Sequence, residues 1–371
     1  MGIALRLSPF MRALGLLALC VTLAVAVGCS GKKAAKSGTG KKRIILLNNT
    51  ADPYWDAAAA GLKKASEDFK LDVQGYEASM DTNSGGDEGQ VQKLQEYAQQ
   101  DDIAAIIISP TSGKNRAIAE ELRKLQDTGV IIGCIDSDLD EKYKRARGFY
   151  IGTDNLMAGK VLGSAAAAIK TDGGQYVQFV GSDSQQNAIE RMNGFSGAVG
   201  PKYKELDRKI DDKDKKRAQD NVHDVLDKYP DLNILVGIWA YNAPAIVEVV
   251  KDKKVRDKTT IVTFDADPAA IRAMGEGQID AMVVQDPFGM GYESVRYIMA
   301  KLTKDQATIK AMFPNMGKPN GDIMDTGVKL VVPAESPILK SADIAAFGKN
   351  VKVMPLPEFQ DWLKKYGLNG T

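Results

Sequence analysis

Polar and aromatic side chains recur directly after the short apolar runs of this 371-residue sequence. Asp52, Tyr54 and Trp55 follow the first run, and Asp136 and Ser137 follow a later one. Further positions of the same kind are Trp239, Asn242, Asp265 and Gln285. Carboxylates and amides form paired hydrogen bonds to neighbouring hydroxyls, and an aromatic face stacks on the C–H face of a sugar ring. The combination indicates a site that binds a polyol.

These positions lie in a repeated alternation of apolar runs and amphipathic segments. The runs predicted as strands are residues 44–47, 103–108, 130–135, 176–180, 234–238, 261–264 and 281–284. The segments predicted as helices are residues 54–69, 88–99, 114–127, 157–169, 188–199, 218–228, 244–252 and 268–275. Strand–helix alternation with continuous apolar strands predicts an α/β fold of parallel, doubly wound sheets. Because ligands bind beyond the carboxyl ends of such strands, we expect the polar positions to lie together.

Length and composition exclude several classes of protein. A chain of 371 residues predicts two domains, and its net charge of +1 argues against general nucleic-acid binding, which needs a basic face. The single histidine, His223, and the three cysteines argue against histidine-dependent catalysis and against a zinc site. No cofactor or metal is therefore expected.

The charged run at residues 207–217 predicts a solvated turn and the start of a helix.

The first 28 residues are typical of a secretory signal. Two arginines precede an uncharged, mostly apolar run at residues 13–27, which is shorter than the roughly 20 residues of a transmembrane helix. The run ends in Ala-Val-Gly-Cys, which resembles the lipobox of bacterial lipoproteins and indicates acylation of Cys29. A plain signal peptide cut near Gly28 ranks second, and a single membrane-spanning anchor ranks third.

Residues 29–42 contain no large apolar side chain, and after Cys29 they consist of Ser, Gly, Ala, Thr and Lys alone. They therefore predict a flexible tether, because such a segment cannot bury a core. After cleavage before Cys29, the one remaining unmodified cysteine is Cys134, so no intramolecular disulfide is expected.

Seven short motifs follow one another along most of the chain. They lie at residues 52–55, 103–112, 135–137, 151–159, 190–195, 262–265 and 284–287. In this order and spacing they resemble the ribose-binding-protein-like family of periplasmic solute-binding proteins, which serve ABC sugar importers. The resemblance covers residues 43–332 and implies two doubly wound parallel-sheet lobes joined by a three-strand hinge, with crossovers near residues 153–154, 285–286 and 325–327.

The resemblance also implies a division into domains. The N-terminal lobe would comprise residues 43–153 and 286–326, and the C-terminal lobe with its tail residues 154–285 and 327–371. Residues after Pro333, including Phe347 and Trp362, extend past the usual end of the family. They either pack on a lobe or contact a partner.

The family's ligand contacts carry over to seven positions: Asp52, Tyr54, Trp55, Asp136, Arg191, Asp265 and Gln285. Two positions depart from the family pattern. Ser137 stands where many relatives have arginine, and Trp239 stands where they have asparagine, with Asn242 three residues further on. These departures argue against ribose itself and leave a carbohydrate ligand expected. The structural alternatives are core packing for Tyr54, Trp55 and Trp239, helix capping for Asp136, Asp265 and Asn242, and a surface ion pair for Arg191.

The expected function is that of a lipid-anchored, monomeric receptor on the periplasmic side of a bacterial membrane. It would capture a small carbohydrate between two lobes and deliver it to an ABC permease without acting as an enzyme. The main alternative is a receptor for a sugar or signal molecule that feeds a membrane sensor kinase. A related repressor would need a DNA-binding segment where the signal stands. A glycosidase would need paired carboxylates at catalytic distance, which Asp52, Asp136 and Asp265 leave open.

Overall fold

The structure, a computed structural model, describes residues 40–183, 185–340 and 347–371. The predicted signal, the predicted lipidation site at Cys29 and most of the predicted tether lie outside these residues. The first strand already begins at Lys42, where the register pairs Lys42 with Tyr76 of the neighbouring strand. The predicted tether is therefore one residue too long. Within the described segments, no helix combines the length and the apolar character needed to span a bilayer.

Two sheets are built from strands that alternate with helices along the chain. The strands are β1 (Lys42–Leu47), β2 (Tyr76–Asp81), β3 (Ile103–Ile108), β4 (Ile131–Ile135), β5 (Phe149–Gly152), β6 (Gly174–Val180), β7 (Tyr203–Ile210), β8 (Ile234–Gly237), β9 (Thr260–Phe264), β10 (Ala281–Val284), β11 (Ile323–Asp325), β12 (Val328–Val332) and β13 (Val351–Pro355). The first sheet has the order β11-β5-β4-β3-β1-β2 and is entirely parallel. The second has the order β13-β12-β10-β9-β8-β6-β7, in which only the β10–β12 pair is antiparallel. The predicted α/β fold is confirmed.

The helices cover both faces of these sheets. They are α1 (Tyr54–Asp68), α2 (Gly86–Tyr97), α3 (Arg116–Asp127), α4 (Asn155–Ile169), α5 (Gln186–Val199), α6 (Lys215–Lys228), α7 (Asn242–Lys253), α8 (Pro268–Gly275), α9 (Pro287–Thr303), α10 (Gln306–Met312) and α11 (Leu356–Lys365). Several begin earlier than the apolar periodicity indicated, because a polar residue caps the first turn. Asp154 accepts a hydrogen bond from the Met157 amide, and Asp214 accepts one from the Arg217 amide.

Strand β7 corrects the interpretation of the charged run at residues 207–217. Residues 207–210 belong to β7, an edge strand of the second sheet, and the helix begins only at Lys215. An edge strand leaves one side open to water, so half-buried charged side chains are accommodated there. Arg208 pairs with Glu205 at 2.5 Å along the same strand. The predicted helix start therefore lies within the run, at Lys215, whereas residues 207–210 form a strand instead of the predicted turn.

The chain passes between the lobes three times, after β5, after β10 and after β11. The crossings are tied to one another by hydrogen bonds: the Gln285 Nε2 donates to Thr153 Oγ1 at 3.0 Å, and the Asp154 amide donates to Asp325 Oδ1 at 3.1 Å. The three-strand hinge is thus confirmed, and its crossing points are held by side-chain contacts.

The described residues after Pro333, which are 334–340 and 347–371, include segments that pack on the second lobe. Strand β13 pairs with β12, and α11 inserts Leu356, Phe359 and Leu363 into the core of that lobe. Two aromatic side chains at this end of the chain also reach Phe288, the second residue of α9, which packs in the first lobe beside α1. The ring of Phe288 lies 4.4 Å from that of Tyr366 and 6.3 Å from that of Trp362. The tail therefore contacts both lobes.

Candidate functional site

Two aspartates stand at the carboxyl ends of their sheets in the same unusual backbone conformation. Asp136 follows β4 with φ of 59°, and Asp265 follows β9 with φ of 63°, so both lie in the left-handed region. Non-glycine residues adopt this conformation at a cost and cluster at binding sites. Neither caps a helix: Asp140 caps the short 3-10 helix at Glu141–Ala146, and Asp267 caps α8. The capping interpretation of these two aspartates is therefore wrong.

In the first lobe, the buried Asp136 carboxylate gathers hydroxyl donors. Ser109 Oγ donates to Asp136 Oδ2 at 3.0 Å, Ser137 Oγ donates to the same oxygen at 3.2 Å, and the Tyr54 hydroxyl donates to Oδ1 at 3.3 Å. Tyr150 fixes the turn by donating its hydroxyl to the Asp136 carbonyl at 2.9 Å. Burial raises the pKa of Asp136, against the opposing effect of the Arg191 guanidinium and of the hydroxyl donors.

The three residues predicted at the start of α1 separate into different roles. Trp55 is 2% exposed and belongs to the core of the first lobe, which supports its core interpretation over ligand contact. Tyr54 stacks edge-on against it at 5.1 Å and points its hydroxyl to Asp136. Asp52 is exposed and accepts a hydrogen bond from the Tyr54 amide at 2.9 Å. Burial raises the pKa of Tyr54 well above its usual value, so its hydroxyl is held as a donor.

In the second lobe, Arg191 is buried rather than paired at the surface. Its Nε donates to Asn155 Oδ1 at 3.0 Å, and its Nη1 donates to the Ile238 carbonyl at 3.2 Å. The guanidinium carbon lies 4.6 Å from the centroid of the Phe264 ring, and Nη1 is 3.5 Å from Asp265 Oδ2. These contacts fix the cation against the carboxylate.

The pKa of Asp265 depends on charged groups from both lobes. Burial raises its pKa to about 6, the Arg191 guanidinium opposes this rise, and the carboxylates of Asp136 and Asp52 reinforce it. Asp136 and Asp52 belong to the first lobe, whereas Asp265 belongs to the second. The site therefore spans the space between the lobes.

Three of the polar atoms that are buried without a hydrogen-bond partner in the described part of the structure belong to residues linked to Arg191. They are Asp265 Oδ1, Asn187 Oδ1 and Trp239 Nε1. Asp265 contacts Arg191, Asn187 lies one helical turn before it, and Trp239 follows Ile238, whose carbonyl Arg191 contacts. Buried polar atoms nearly always have a partner, and an unpaired one needs an explanation. Two of these atoms accept and one donates, which matches what the hydroxyl groups of a polyol offer.

The turn that carries Trp239 is held by Asn242 and Asp211. Asn242 Oδ1 accepts a hydrogen bond from the Trp239 amide at 3.0 Å, and its Nδ2 donates to Asp211 Oδ2 at 3.0 Å. Asp211 is fully buried and also accepts from the Tyr241 hydroxyl. Asn242 is thus the first residue of α7 rather than its cap, and its side chain fixes the backbone of Trp239 through this hydrogen bond. Gln285 is also buried, and its side chain bonds across the hinge.

A profile of the periplasmic binding protein domain matches residues 44–306. The chain belongs to this family. Ribose import binding protein RbsB of Escherichia coli strain K12 is 20% identical over 277 residues, which are 74% of this chain and 89% of that protein. D-allose-binding periplasmic protein of the same strain is 22% identical over 262 residues, 69% of this chain and 82% of that protein.

Solved structures agree with this assignment at the level of the fold. An ABC transporter solute-binding protein from Burkholderia graminis C4D1M, in complex with D-arabinose, matches with a TM-score of 0.67 at 22% identity, covering 79% of this chain and 96% of that one. A chain of a XylFII–LytSN complex matches with a TM-score of 0.62 at 23% identity, covering 71% of this chain and 94% of that one.

Sequence reasoning assigns no role to Asn187 or Asp211, and it includes Asn155 in the motif at residues 151–159 without predicting its contact with Arg191. Asn187 lies before the motif at residues 190–195 and before the predicted start of α5. It is four residues from Arg191, so the two share one face of the helix, and this spacing is the signal that could have identified it. Asp211 lies in the charged run that was read as solvated. Across the described residues of the chain, no three His, Cys, Asp or Glu side chains are arranged to hold a metal ion.

Proposed function

We propose that this periplasmic binding protein captures a small carbohydrate between its two lobes. The observation that carries the proposal is that two residues of the first lobe, Tyr54 and Asp136, interact electrostatically with two residues of the second lobe, Arg191 and Asp265. Asp265 Oδ1 has no hydrogen-bond partner among the described residues, and the same is true of polar atoms on Asn187, one helical turn before Arg191, and on Trp239, which follows the Ile238 carbonyl that Arg191 contacts. A ring with several hydroxyl groups can satisfy all of these groups at once, because each hydroxyl both donates and accepts. The names of similar proteins, which bind ribose, allose and arabinose, support the same class of ligand.

The geometry supports capture by closure of the lobes. Each lobe contributes one part of the site, and three crossings at the hinge allow the lobes to rotate. A ligand that contacts both parts binds the closed form more tightly than the open form, so it shifts the population toward closure. The closed protein would then deliver the sugar to an ABC permease, as a monomer and without chemical change to the ligand.

Calorimetric titration tests the proposal with D-ribose, D-allose, D-arabinose and D-fucose as probes. The wild-type protein is expected to bind at least one of them, and Asp265→Ala is expected to weaken that binding about a hundredfold or more. The reason is that a hydrogen bond to a charged group is lost inside a buried site. Asp252→Ala, at an exposed position on α7, is the matched control and should bind as the wild type does.

Absence of binding to every sugar tested, or an unchanged affinity in Asp265→Ala, contradicts this carbohydrate site. The sugar recovered after long incubation is expected to be intact. Turnover of any probe would instead make the protein an enzyme.

The lipid anchor is a separate part of the proposal and rests on the Ala-Val-Gly-Cys motif at residues 26–29. We expect metabolic labelling with a radioactive fatty acid to mark the wild-type protein, which should then sediment with membranes. Cys29→Ala is expected to lose the label and to appear in the soluble extracytoplasmic fraction. Labelling that persists in Cys29→Ala would show that the modified residue lies elsewhere, and loss of the label without release from the membrane would indicate an uncleaved anchor.

A second candidate function is that of a receptor which signals through a membrane sensor kinase. The observation that favours it is the structural match to XylFII, which is known in a complex with a second protein, LytSN. Deletion of the gene distinguishes a transport function from a signalling function through the uptake of labelled sugar. Uptake of the labelled sugar falls if the partner is a permease, whereas uptake persists and a sugar-dependent response disappears if the partner is a sensor.

A further inference from the structure

The residue that follows Asp265 is paired with the far end of the sequence. The Ala266 amide donates to the Thr371 carbonyl at 2.9 Å, and the Thr371 amide donates to the Ala266 carbonyl at 3.1 Å. This mutual exchange is the pattern of a hydrogen-bonded antiparallel pair. It connects the site to a segment that lies more than a hundred residues away along the chain.

The pair is buried and anchored. Ala266 is fully buried, and Thr371 is 5% exposed. Leu368 packs in the core of the second lobe, and its amide donates to the Leu363 carbonyl at 2.9 Å, which continues the end of α11. The segment from residue 366 to residue 371 is therefore held in place as it reaches Ala266.

Gly370 permits the approach. A Cβ at this position would lie 2.4 Å from the Ala266 carbonyl oxygen and 3.0 Å from Pro268 Cδ. Real Cβ atoms do not come so close to a backbone oxygen, so any other residue would push the segment away from the turn.

The turn needs external support because Asp265 is in the left-handed conformation. Among the residues that the structure describes, the Asp265 side chain has a polar contact with Arg191 at 3.5 Å, and its Oδ1 has no hydrogen-bond partner. The backbone is fixed on one side by the bond from the Asp265 amide to the Val283 carbonyl at 2.8 Å. On the other side it is fixed by the two bonds between Ala266 and Thr371. Without the latter, Asp265 can relax toward an ordinary backbone angle.

We infer that the Gly370–Thr371 segment is a positioning element that holds the Asp265 carboxylate in the ligand site. This inference rests on the proposed function and deepens it, since it adds a part of the chain beyond the matched family domain to the machinery of binding. Thr371 and Gly370 act through the backbone of Ala266 and do not touch the ligand themselves.

The test compares Thr371→Pro with Thr371→Ala in the full chain. Proline removes the amide that donates to Ala266, whereas alanine keeps both backbone bonds and removes only a hydroxyl that has no partner among the described residues. With the sugar that the wild type binds, affinity is expected to fall about tenfold or more in Thr371→Pro and to stay unchanged in Thr371→Ala. Gly370→Ala is expected to resemble Thr371→Pro. In an Asp265→Asn background, Thr371→Pro is expected to cause no further loss of affinity.

A second readout needs no ligand. The Asp265 carboxyl is followed by nuclear magnetic resonance as pH changes, with Arg191, Asp136, Asp52 and Tyr54 as the ionisable groups around it. Its pKa, about 6 in the wild type, is expected to move toward the ordinary value in Thr371→Pro as the carboxyl leaves its buried position. Unchanged affinity and unchanged Asp265 titration in both Thr371→Pro and Gly370→Ala would overturn the inference. If no sugar binds the wild type, the proposed function fails, and the titration still decides this inference.

Discussion

Replacement of Arg191 with methionine is expected to abolish sugar binding and to lower the free energy of unfolding at pH 7 by about 3–5 kcal/mol. The Arg191 side chain is 2% exposed, so its cation is compensated by Asn155, by the Ile238 carbonyl and by Asp265 rather than by water. Methionine fills a similar volume but leaves the carboxylates of Asp136 and Asp265 buried without their cation. Isothermal calorimetry and urea denaturation measure the two effects.

The pH dependence of this loss separates charge from packing. Without Arg191, the pKa values of Asp136 and Asp265 should rise further, because the guanidinium lowers both. The destabilisation of Arg191→Met should therefore shrink at pH 5, where the two carboxyl groups take up protons. Arg272→Met, at an exposed position on α8, is the control and should change neither binding nor stability. A loss of stability that is the same at pH 5 and pH 8 would show that packing alone accounts for the effect.

Asp265→Asn is expected to weaken binding and yet to make the ligand-free protein more stable at alkaline pH. The pKa of Asp265 is about 6 in the folded protein and 3.8 for an ordinary aspartate, so the folded state binds this proton more tightly than the unfolded state. The resulting stability is complete below about pH 4 and is lost as pH rises through 6. Two pKa units correspond to about 3 kcal/mol.

Asparagine has no proton to lose over this range. At pH 8, Asp265→Asn should therefore exceed the wild type by up to about 3 kcal/mol, which raises the melting temperature by several degrees, whereas the two should be equal at pH 4. Thermal unfolding followed by circular dichroism between pH 4 and pH 8 measures the difference. Asp252→Asn should follow the wild type at every pH. An Asp265→Asn protein that is less stable than the wild type at pH 8 would contradict the raised pKa.

The sequence predicts a strand well where the pattern of apolar residues along it matches its burial in the folded sheet. Central strands of these sheets are buried on both faces, so β3 and β10 appear as uninterrupted apolar runs with the correct bounds. Strands β2 and β7 lie at sheet edges and carry polar side chains, so the pattern of apolar runs does not predict them. These two segments form strands because they pair with a neighbouring strand, and the spacing of their own apolar residues does not indicate this pairing.

The site shows the same division. Asp136 and Asp265 follow apolar strands, and their position after those strands predicted where they lie. Trp55 is adjacent in sequence to Tyr54, but the helix turns the two side chains in different directions, so one reaches the site and the other the core. The pairing of Thr371 with Ala266 joins distant segments through backbone atoms, which no side-chain motif can indicate.

The contact of Phe288 with Tyr366 and Trp362 has a consequence for affinity. These rings join the tail on the second lobe to α9, the helix that follows a hinge crossing, so they favour the relative orientation of the lobes in which they touch. The measured dissociation constant of a ligand is its intrinsic value divided by the fraction of molecules already competent to bind. Any contact that favours one orientation changes that fraction, so substitutions at these three rings can change the affinity for a ligand that they do not touch.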